Sequence, residues 1–155
     1  MSTNKKTALI TGGSKGIGYG VAETLLKMGY KVAITSRSLS SAEKAAGELS
    51  KHGEALGLEA DVRNFDSQQK AVDQLINKWG QLDVLVANAG IGNFGSVEDL
   101  TVEEWKDTID TNLTGVFFSI KACVDALKKS EGYIITISSL AGTNFFRASV
   151  SLQLY

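Results

Sequence analysis

Short apolar segments alternate with amphipathic segments along the chain. The apolar segments predict five strands, at residues 7–11, 31–35, 54–60, 83–88 and 133–137. The intervening segments carry apolar side chains three or four residues apart, which predicts helices beginning near Ile17 and at about 40–52, 66–79 and 102–128. The last helix is predicted to be continuous and to pack through one apolar stripe, formed by Trp105, Ile109, Leu113, Val116, Ile120 and Val124.

This alternation of strand and helix predicts the fold class. Near-continuous apolar strands separated by amphipathic helices are typical of a parallel sheet with helices on both faces. No internal repeat or linker interrupts the pattern, and 155 residues is the usual size of one domain. The sequence therefore predicts a single α/β domain.

Glycines follow the first predicted strand. The stretch TGGSKGIG (11–18) places Gly12, Gly16 and Gly18 between that strand and its helix. Glycine permits a tight turn and lets backbone approach a pyrophosphate, whose charge the helix N-terminus attracts. The spacing is G-x-x-x-G-x-G rather than G-x-G-x-x-G, so an ordinary glycine-rich βα turn is the alternative. The flanking strand and helix favour a dinucleotide-binding loop.

The residues after the second predicted strand indicate which dinucleotide binds. NAD sites place an Asp or Glu about 20 residues past the loop, on the ribose 2′-hydroxyl. Here the stretch TSRSLSSAE (35–43) has no acid before Glu43, and Arg37 stands at the strand end. Arg37 and Lys15 suit a 2′-phosphate, which charge-assisted hydrogen bonds would hold. The sequence predicts NADP(H) over NAD(H); two solvated surface cations are the alternative.

Composition excludes several other classes of function. The net charge of -1 does not indicate a nucleic-acid partner. Cys123 is the only cysteine, so neither an intrachain disulfide nor a zinc cluster is expected, and its expected place is the core. No segment approaches the roughly 18 continuous apolar residues of a membrane span, and the N-terminus lacks a secretory pattern. We expect a cytoplasmic protein with no membrane partner and no bound metal.

Five stretches together resemble one family. They look like the short-chain dehydrogenase/reductase family in its NADP-preferring branch, and most like 3-oxoacyl-acyl-carrier-protein reductases. The resemblance implies a Rossmann-like doubly wound parallel sheet in the order 3-2-1-4-5, within a dinucleotide-binding domain at 1–146 followed by a divergent tail at 147–155. The stretches are TGGSKGIG (11–18), ADV (60–62), NAG (88–90), TNLTG (111–115) and ISS (137–139).

The resemblance also implies roles for individual residues. Asn112 matches the asparagine of the family's proton relay, and Ser139 matches the serine that hydrogen-bonds the substrate carbonyl. Asp61 and Val62 match the pair beside the adenine. The whole set implied to bind the cofactor is Gly12, Ser14, Lys15, Gly16, Ile17, Gly18, Arg37, Asp61, Val62, Asn88, Ala89 and Gly90. The alternatives are a plain strand-end turn at Asp61, a tolerated polar residue at Asn112 and ordinary turn residues at Ser138 and Ser139.

The resemblance ends before the family's Tyr-x-x-x-Lys pair. Leu152 stands where the tyrosine is expected, thirteen residues after Ser139, and no lysine follows residue 129. The resemblance to the family stops at RASVSLQLY (147–155). This suggests a frameshifted or truncated chain whose sheet ends after the fifth strand. The segment YIITI (133–137) would then be an exposed apolar edge, so we expect self-association or a homo-oligomer.

Three functions are consistent with these features. The first is an NADP(H)-dependent reductase that transfers hydride between nicotinamide and a small-molecule carbonyl or secondary alcohol, impaired by the absence of the Tyr-x-x-x-Lys pair. The second is a non-catalytic nucleotide-binding fragment. The third is a partner that completes its sheet with another chain.

Overall fold

A computed structural model of the chain describes residues 5–93 and 95–140, which form five parallel strands and five helices. The predicted tail at 147–155 and Leu152 lie outside these residues. The strands are β1 (Thr7–Ile10), β2 (Lys31–Ser36), β3 (Ala55–Glu59), β4 (Val84–Ala87) and β5 (Tyr133–Thr136). The helices are α1 (Gly16–Lys27), α2 (Leu39–Leu49), α3 (Phe65–Trp79), α4 (Val102–Ile109) and α5 (Gly115–Ser130). A short 3₁₀ turn at Ser50–His52 follows α2.

The sheet has the strand order β3-β2-β1-β4-β5, which confirms the predicted order 3-2-1-4-5. All four pairings are parallel; Leu9 of β1, for example, pairs with Ala33 of β2 on one side and Leu85 of β4 on the other. Because the order reverses between β1 and β4, the loops after these two strands separate and leave a crevice at their carboxyl ends.

Alternate residues of β1 and its neighbouring strands β2 and β4 enter two separate cores. In β1, Ala8 and Ile10 pack with α1 and α2, whereas Leu9 packs with α3 and α5. This sorting follows from the two-residue period of a strand, and it accounts for the near-continuous apolar pattern of the central strands. Cys123 of α5 is fully buried in the second of these cores, where burial raises the pKa of its thiol to about 12.

The predicted long helix at 102–128 is present, but it is not one regular α-helix. A π-helical turn at Asp110–Thr114 separates α4 from α5, and the Gly115 amide donates to the Asp110 carbonyl five residues back. The extra residue in this turn rotates the faces of the two helices, so the predicted stripe is also wrong at Leu113, which is 52% exposed. The side chains that are buried instead are mostly small or polar, with one leucine: Thr108, Thr111, Ser119, Ala122, Cys123 and Leu127.

A buried polar pair joins α3 to α5. Gln68 is fully buried, and its Nε2 donates to Ser119 Oγ at 2.8 Å. Ser119 in turn donates to the Gly115 carbonyl at 2.7 Å, so both polar groups are satisfied inside the core. This pair explains how the buried face of α5 accommodates a serine.

β5 is the last strand of the sheet within the described residues. It hydrogen-bonds to β4, and its side chains are exposed on both faces: Tyr133 is 68% and Ile134 43% exposed. Among the described residues, no helix is both long enough and apolar enough to cross a membrane.

Candidate cofactor site

A cavity of about 710 Å³ lies in the crevice at the carboxyl ends of the strands. The loops after β1, β2, β3 and β4 all contribute to its walls, together with Thr111 of the π turn. Every residue of the predicted cofactor set lines this cavity except Gly18, which lies just beneath the loop. The lining residues that the set did not contain are Ser36, Ser38, Ser41, Ala60, Arg63, Ile91 and Thr111.

The glycine loop brings the N-terminus of α1 to the cavity. Gly12 and Gly16 have φ angles of +65° and +60°, a backbone conformation that favours glycine. A Cβ on Gly12 would lie 2.9 Å from the Ala89 Cα, so glycine is needed there for close contact as well. Lys15 is the N-cap residue of α1, and no described side chain accepts a hydrogen bond from the backbone amides of the first turn of this helix. Such amides form a site for an anion.

Asn88 joins the loop after β4 to the loop after β1. Its Nδ2 donates to the carbonyls of Thr11 at 2.9 Å and Gly12 at 3.2 Å. In return, the Asn88 and Ala89 amides donate to Thr11 Oγ1 at 3.0 and 3.1 Å. Gly18 makes room for this arrangement, because a Cβ there would stand 2.5 Å from Asn88 Nδ2. The role of Thr11 was not predicted, because its only sequence signal is its position before the glycines.

The wall formed by the end of β2 is cationic and rich in hydroxyl groups. Arg37, Ser36, Ser38 and Ser41 line it, and Lys15 of the glycine loop lines the same cavity. Ser38 also caps α2, accepting a hydrogen bond from the Ser41 amide at 3.4 Å. This wall has the charge and the donors that a phosphate group requires.

Asp61 is the single carboxylate among the lining residues. The neighbouring Arg63 donates to it from its backbone amide at 3.0 Å and from its guanidinium, with Nη2 2.8 Å from Oδ2. These hydrogen bonds hold the pKa of the Asp61 carboxyl below its ordinary value and raise the pKa of the Arg63 guanidinium. Asp61 is therefore ionised at neutral pH.

The π turn brings Asn112 against the backbone of the loop after β4. Its Oδ1 accepts from the Ile91 amide at 2.9 Å, and its Nδ2 donates to the Ile91 carbonyl at 2.8 Å. Both polar groups of Ile91, a lining residue, are thereby fixed by one side chain. The structure thus brings Asn112 to the edge of the cavity.

Ser139 is not brought into the cavity wall. It follows β5 by three residues and is exposed, as is Ser138 beside it. The described residues contain no group of three or more His, Cys, Asp or Glu side chains that could hold a metal ion.

The sequence model of the short chain dehydrogenase family matches residues 6–151. The chain belongs to the short-chain dehydrogenase family. This membership confirms the family resemblance that was inferred from the five sequence motifs.

Individual members of the short-chain dehydrogenase family are similar over most of this chain. The trans-4-hydroxycyclohexanecarboxylate dehydrogenase of Sinomonas cyclohexanicum is 41% identical over 150 residues, covering 92% of this chain and 58% of the relative. The 3-oxoacyl-[acyl-carrier-protein] reductase FabG of Escherichia coli (strain K12) is 40% identical over 144 residues, which again cover 92% of this chain and 58% of the relative. The chain thus spans less than two thirds of the length of these relatives.

A solved structure of a short-chain dehydrogenase supports the fold. The alcohol dehydrogenase from the archaeon Thermococcus sibiricus, complexed with 5-hydroxy-NADP, superimposes with a TM-score of 0.90 at 34% identity. The comparison covers 96% of this chain and 64% of that one.

Proposed function

We propose that the cavity binds NADP(H) and that the chain belongs to an oxidoreductase of the 3-oxoacyl thioester reductase type. Such a protein transfers hydride between the nicotinamide and a carbonyl or secondary alcohol carbon of a small-molecule substrate. The observation that carries the proposal is the combination of free amides at the start of α1 with two cations, Lys15 and Arg37, that line the same cavity. The amides face the pyrophosphate, and the two cations face the 2′-phosphate.

The residues present fit a dinucleotide by shape as well as by charge. A Cβ on Gly12 would collide with Ala89. Because Gly12 has no side chain, the loop presents its backbone to the phosphates. The end of β2 offers cations and hydroxyls but no carboxylate to bind a ribose 2′-hydroxyl, which favours NADP(H) over NAD(H). The alcohol dehydrogenase of similar fold was solved with an NADP derivative, which supports the same preference.

The other proposed roles follow the family pattern and, for Asn112, also the position of the side chain. The cofactor supplies the hydride. Asn112 keeps the Ile91 backbone in the cavity wall through its paired hydrogen bonds and supports proton relay there. Ser139 polarises the substrate carbonyl by donating a hydrogen bond. A cytoplasmic location remains a prediction from the sequence.

We propose that catalysis by the 155-residue polypeptide is impaired. No tyrosine in the sequence is followed four residues later by a lysine, so the general acid implied by the family pattern is missing. A positioned general acid contributes about 10²–10⁴ in rate. Since cofactor binding uses other residues, a nucleotide-binding polypeptide without appreciable turnover is the second candidate function.

One titration followed by an assay tests both candidates. We expect the purified polypeptide to bind NADPH at least about tenfold more tightly than NADH, measured by calorimetry at fixed ionic strength. NADPH consumption with ketones and 3-oxoacyl thioesters should then be about 10²–10⁴ slower than with a family member that has the Tyr-x-x-x-Lys pair. Equal or tighter binding of NADH would refute the cofactor proposal, and full turnover would refute the impairment.

The polypeptide is also proposed to self-associate through β5. Ile135 is half-exposed on this strand, and the strand hydrogen-bonds on one side to β4 within the described residues. We expect sedimentation velocity to show concentration-dependent oligomers that the substitution Ile135→Lys suppresses, because a charge opposes edge pairing. Val97→Lys, at an exposed apolar position away from β5, is the matched control and should leave the oligomers unchanged. A monodisperse monomer of the parent protein would contradict the proposal.

A further inference from the structure

Arg63 fills nearly all the acceptor capacity of the Asp61 carboxylate. Its Nε lies 3.1 Å from Oδ1 and 3.2 Å from Oδ2, its Nη2 lies 2.8 Å from Oδ2, and its backbone amide lies 3.0 Å from Oδ1. A carboxylate has about four acceptor sites, two on each oxygen. The carboxylate that faces the cavity is thus already occupied by a donor from its own turn.

A second carboxylate holds Arg63 in this position. Its Nη1 donates to Asp107 Oδ1 of α4 at 3.1 Å, on the side away from Asp61. Arg63 itself lines the cavity. The guanidinium therefore lies at the wall where the proposed site would receive the base of the dinucleotide, beside Asp61.

We propose that Arg63 is a positioning residue that acts through Asp61 to relax the selection of the dinucleotide's base. This inference rests on the proposed function, which places the adenine beside Asp61. A 6-amino purine presents a donor that needs a free carboxylate oxygen, and a 6-oxo purine presents an acceptor that a bare carboxylate repels. Arg63 competes with the amine for Asp61, and it offers its own donors to a 6-oxo group.

The competition has opposite consequences for the two bases. With Arg63 present, the amine of adenine gains little from Asp61, and a hypoxanthine base escapes repulsion by pairing with the guanidinium. Without the guanidinium, Asp61 accepts freely from the amine and rejects the 6-oxo group. The ratio of the Kd for deamino-NADPH, which carries hypoxanthine, to the Kd for NADPH therefore measures the effect of Arg63.

The experiment measures this ratio by fluorescence titration in the parent and in three variants. We expect a ratio within about threefold of one for the parent and about tenfold higher for Arg63→Met, the value of one charge-assisted hydrogen bond. Met keeps the length of the side chain and removes its donors. Arg63→Lys, which retains a cationic donor, should restore most of the parent ratio. Asp107→Asn should leave it unchanged, because asparagine keeps the Oδ1 acceptor for Arg63 Nη1 and the contacts between Arg63 and Asp61 remain.

Other outcomes would overturn the inference and identify what failed. An unchanged ratio in Arg63→Met, or equal weakening of both nucleotides, would mean that Arg63 has only a structural role. A ratio far above one in the parent would mean that Asp61 already discriminates between the two bases in the presence of Arg63. Absence of binding of either nucleotide to the folded parent would overturn the proposed function together with this inference, whereas binding of NADPH with an unchanged ratio would overturn this inference alone.

Discussion

Replacing Gly18 with valine is expected to abolish nucleotide binding and to lower the free energy of unfolding. A side chain at this position would stand 2.5 Å from Asn88 Nδ2, 2.9 Å from the Gly12 carbonyl oxygen and 3.0 Å from the Gly13 Cα. Asn88 would have to leave the carbonyls of Thr11 and Gly12, and the glycine loop would shift away from its position at the cavity. The predicted effect is therefore both structural and functional.

The expected loss of unfolding free energy follows from overpacking and from the lost hydrogen bonds. Overpacking costs about 1–3 kcal/mol and the unmet hydrogen bonds of Asn88 about 1–3 kcal/mol more, so urea unfolding should show a loss of roughly 2–6 kcal/mol. The Kd for NADPH should rise at least about a hundredfold, equivalent to about 2.8 kcal/mol, in samples that circular dichroism shows to be folded.

Gly20→Ala is the matched control for Gly18→Val. Gly20 lies in the same helix, and a Cβ there would meet no heavy atom within 4 Å. Alanine should stabilise the helix by about 0.5–1 kcal/mol and leave the Kd unchanged. A folded Gly18→Val protein that binds NADPH as the parent does would show that the junction of Asn88 with the glycine loop is not needed for the site.

Features that depend on local sequence patterns could be predicted well. The strands at 31–35 and 133–137 and the helix at 66–79 correspond closely to β2, β5 and α3, because their hydrophobic periods are regular. The strand order came from the family resemblance rather than from periodicity, which carries no information on which strands pair. Most of the predicted cofactor residues reach one cavity because they follow the carboxyl ends of parallel strands, which share one edge of the sheet.

Features that depend on contacts between distant residues could not be predicted. The π turn arises where Asn112 reaches the backbone of Ile91, twenty-one residues earlier, and a helical period alone gives no sign of that contact. The link from Arg63 to Asp107 spans 44 residues and leaves no local pattern either. Ser36 is a different case: it stands next to Arg37 at the end of a predicted strand, so its place in the cavity wall could have been inferred from the sequence.

Replacing Arg37 with glutamate is expected to invert the preference between the two cofactors. Arg37 stands at the end of β2, in the wall that also carries the serine hydroxyls, and Lys15 lines the same cavity from the glycine loop. Glutamate removes a charge-assisted hydrogen bond to the 2′-phosphate, adds repulsion, and supplies an acceptor for the 2′-hydroxyl of NADH. The Kd for NADPH should rise about a hundredfold, or roughly 2.8 kcal/mol, while the Kd for NADH should fall by less than about tenfold.

The effect of the charge change on the dissociation constants must be separated from the effect of its position. Lys44→Glu, on the exposed surface of α2, makes the same change of two charge units and should alter both dissociation constants by less than about twofold at 0.15 M ionic strength, where the Debye length is about 8 Å. The Arg37→Glu effect should persist there, because it depends on direct contact with the phosphate. If Arg37→Glu still preferred NADPH, or if Lys44→Glu matched its effect, then Arg37 would not contact the 2′-phosphate, and the selection of NADP(H) would have to come from Lys15 and the serines of the same wall.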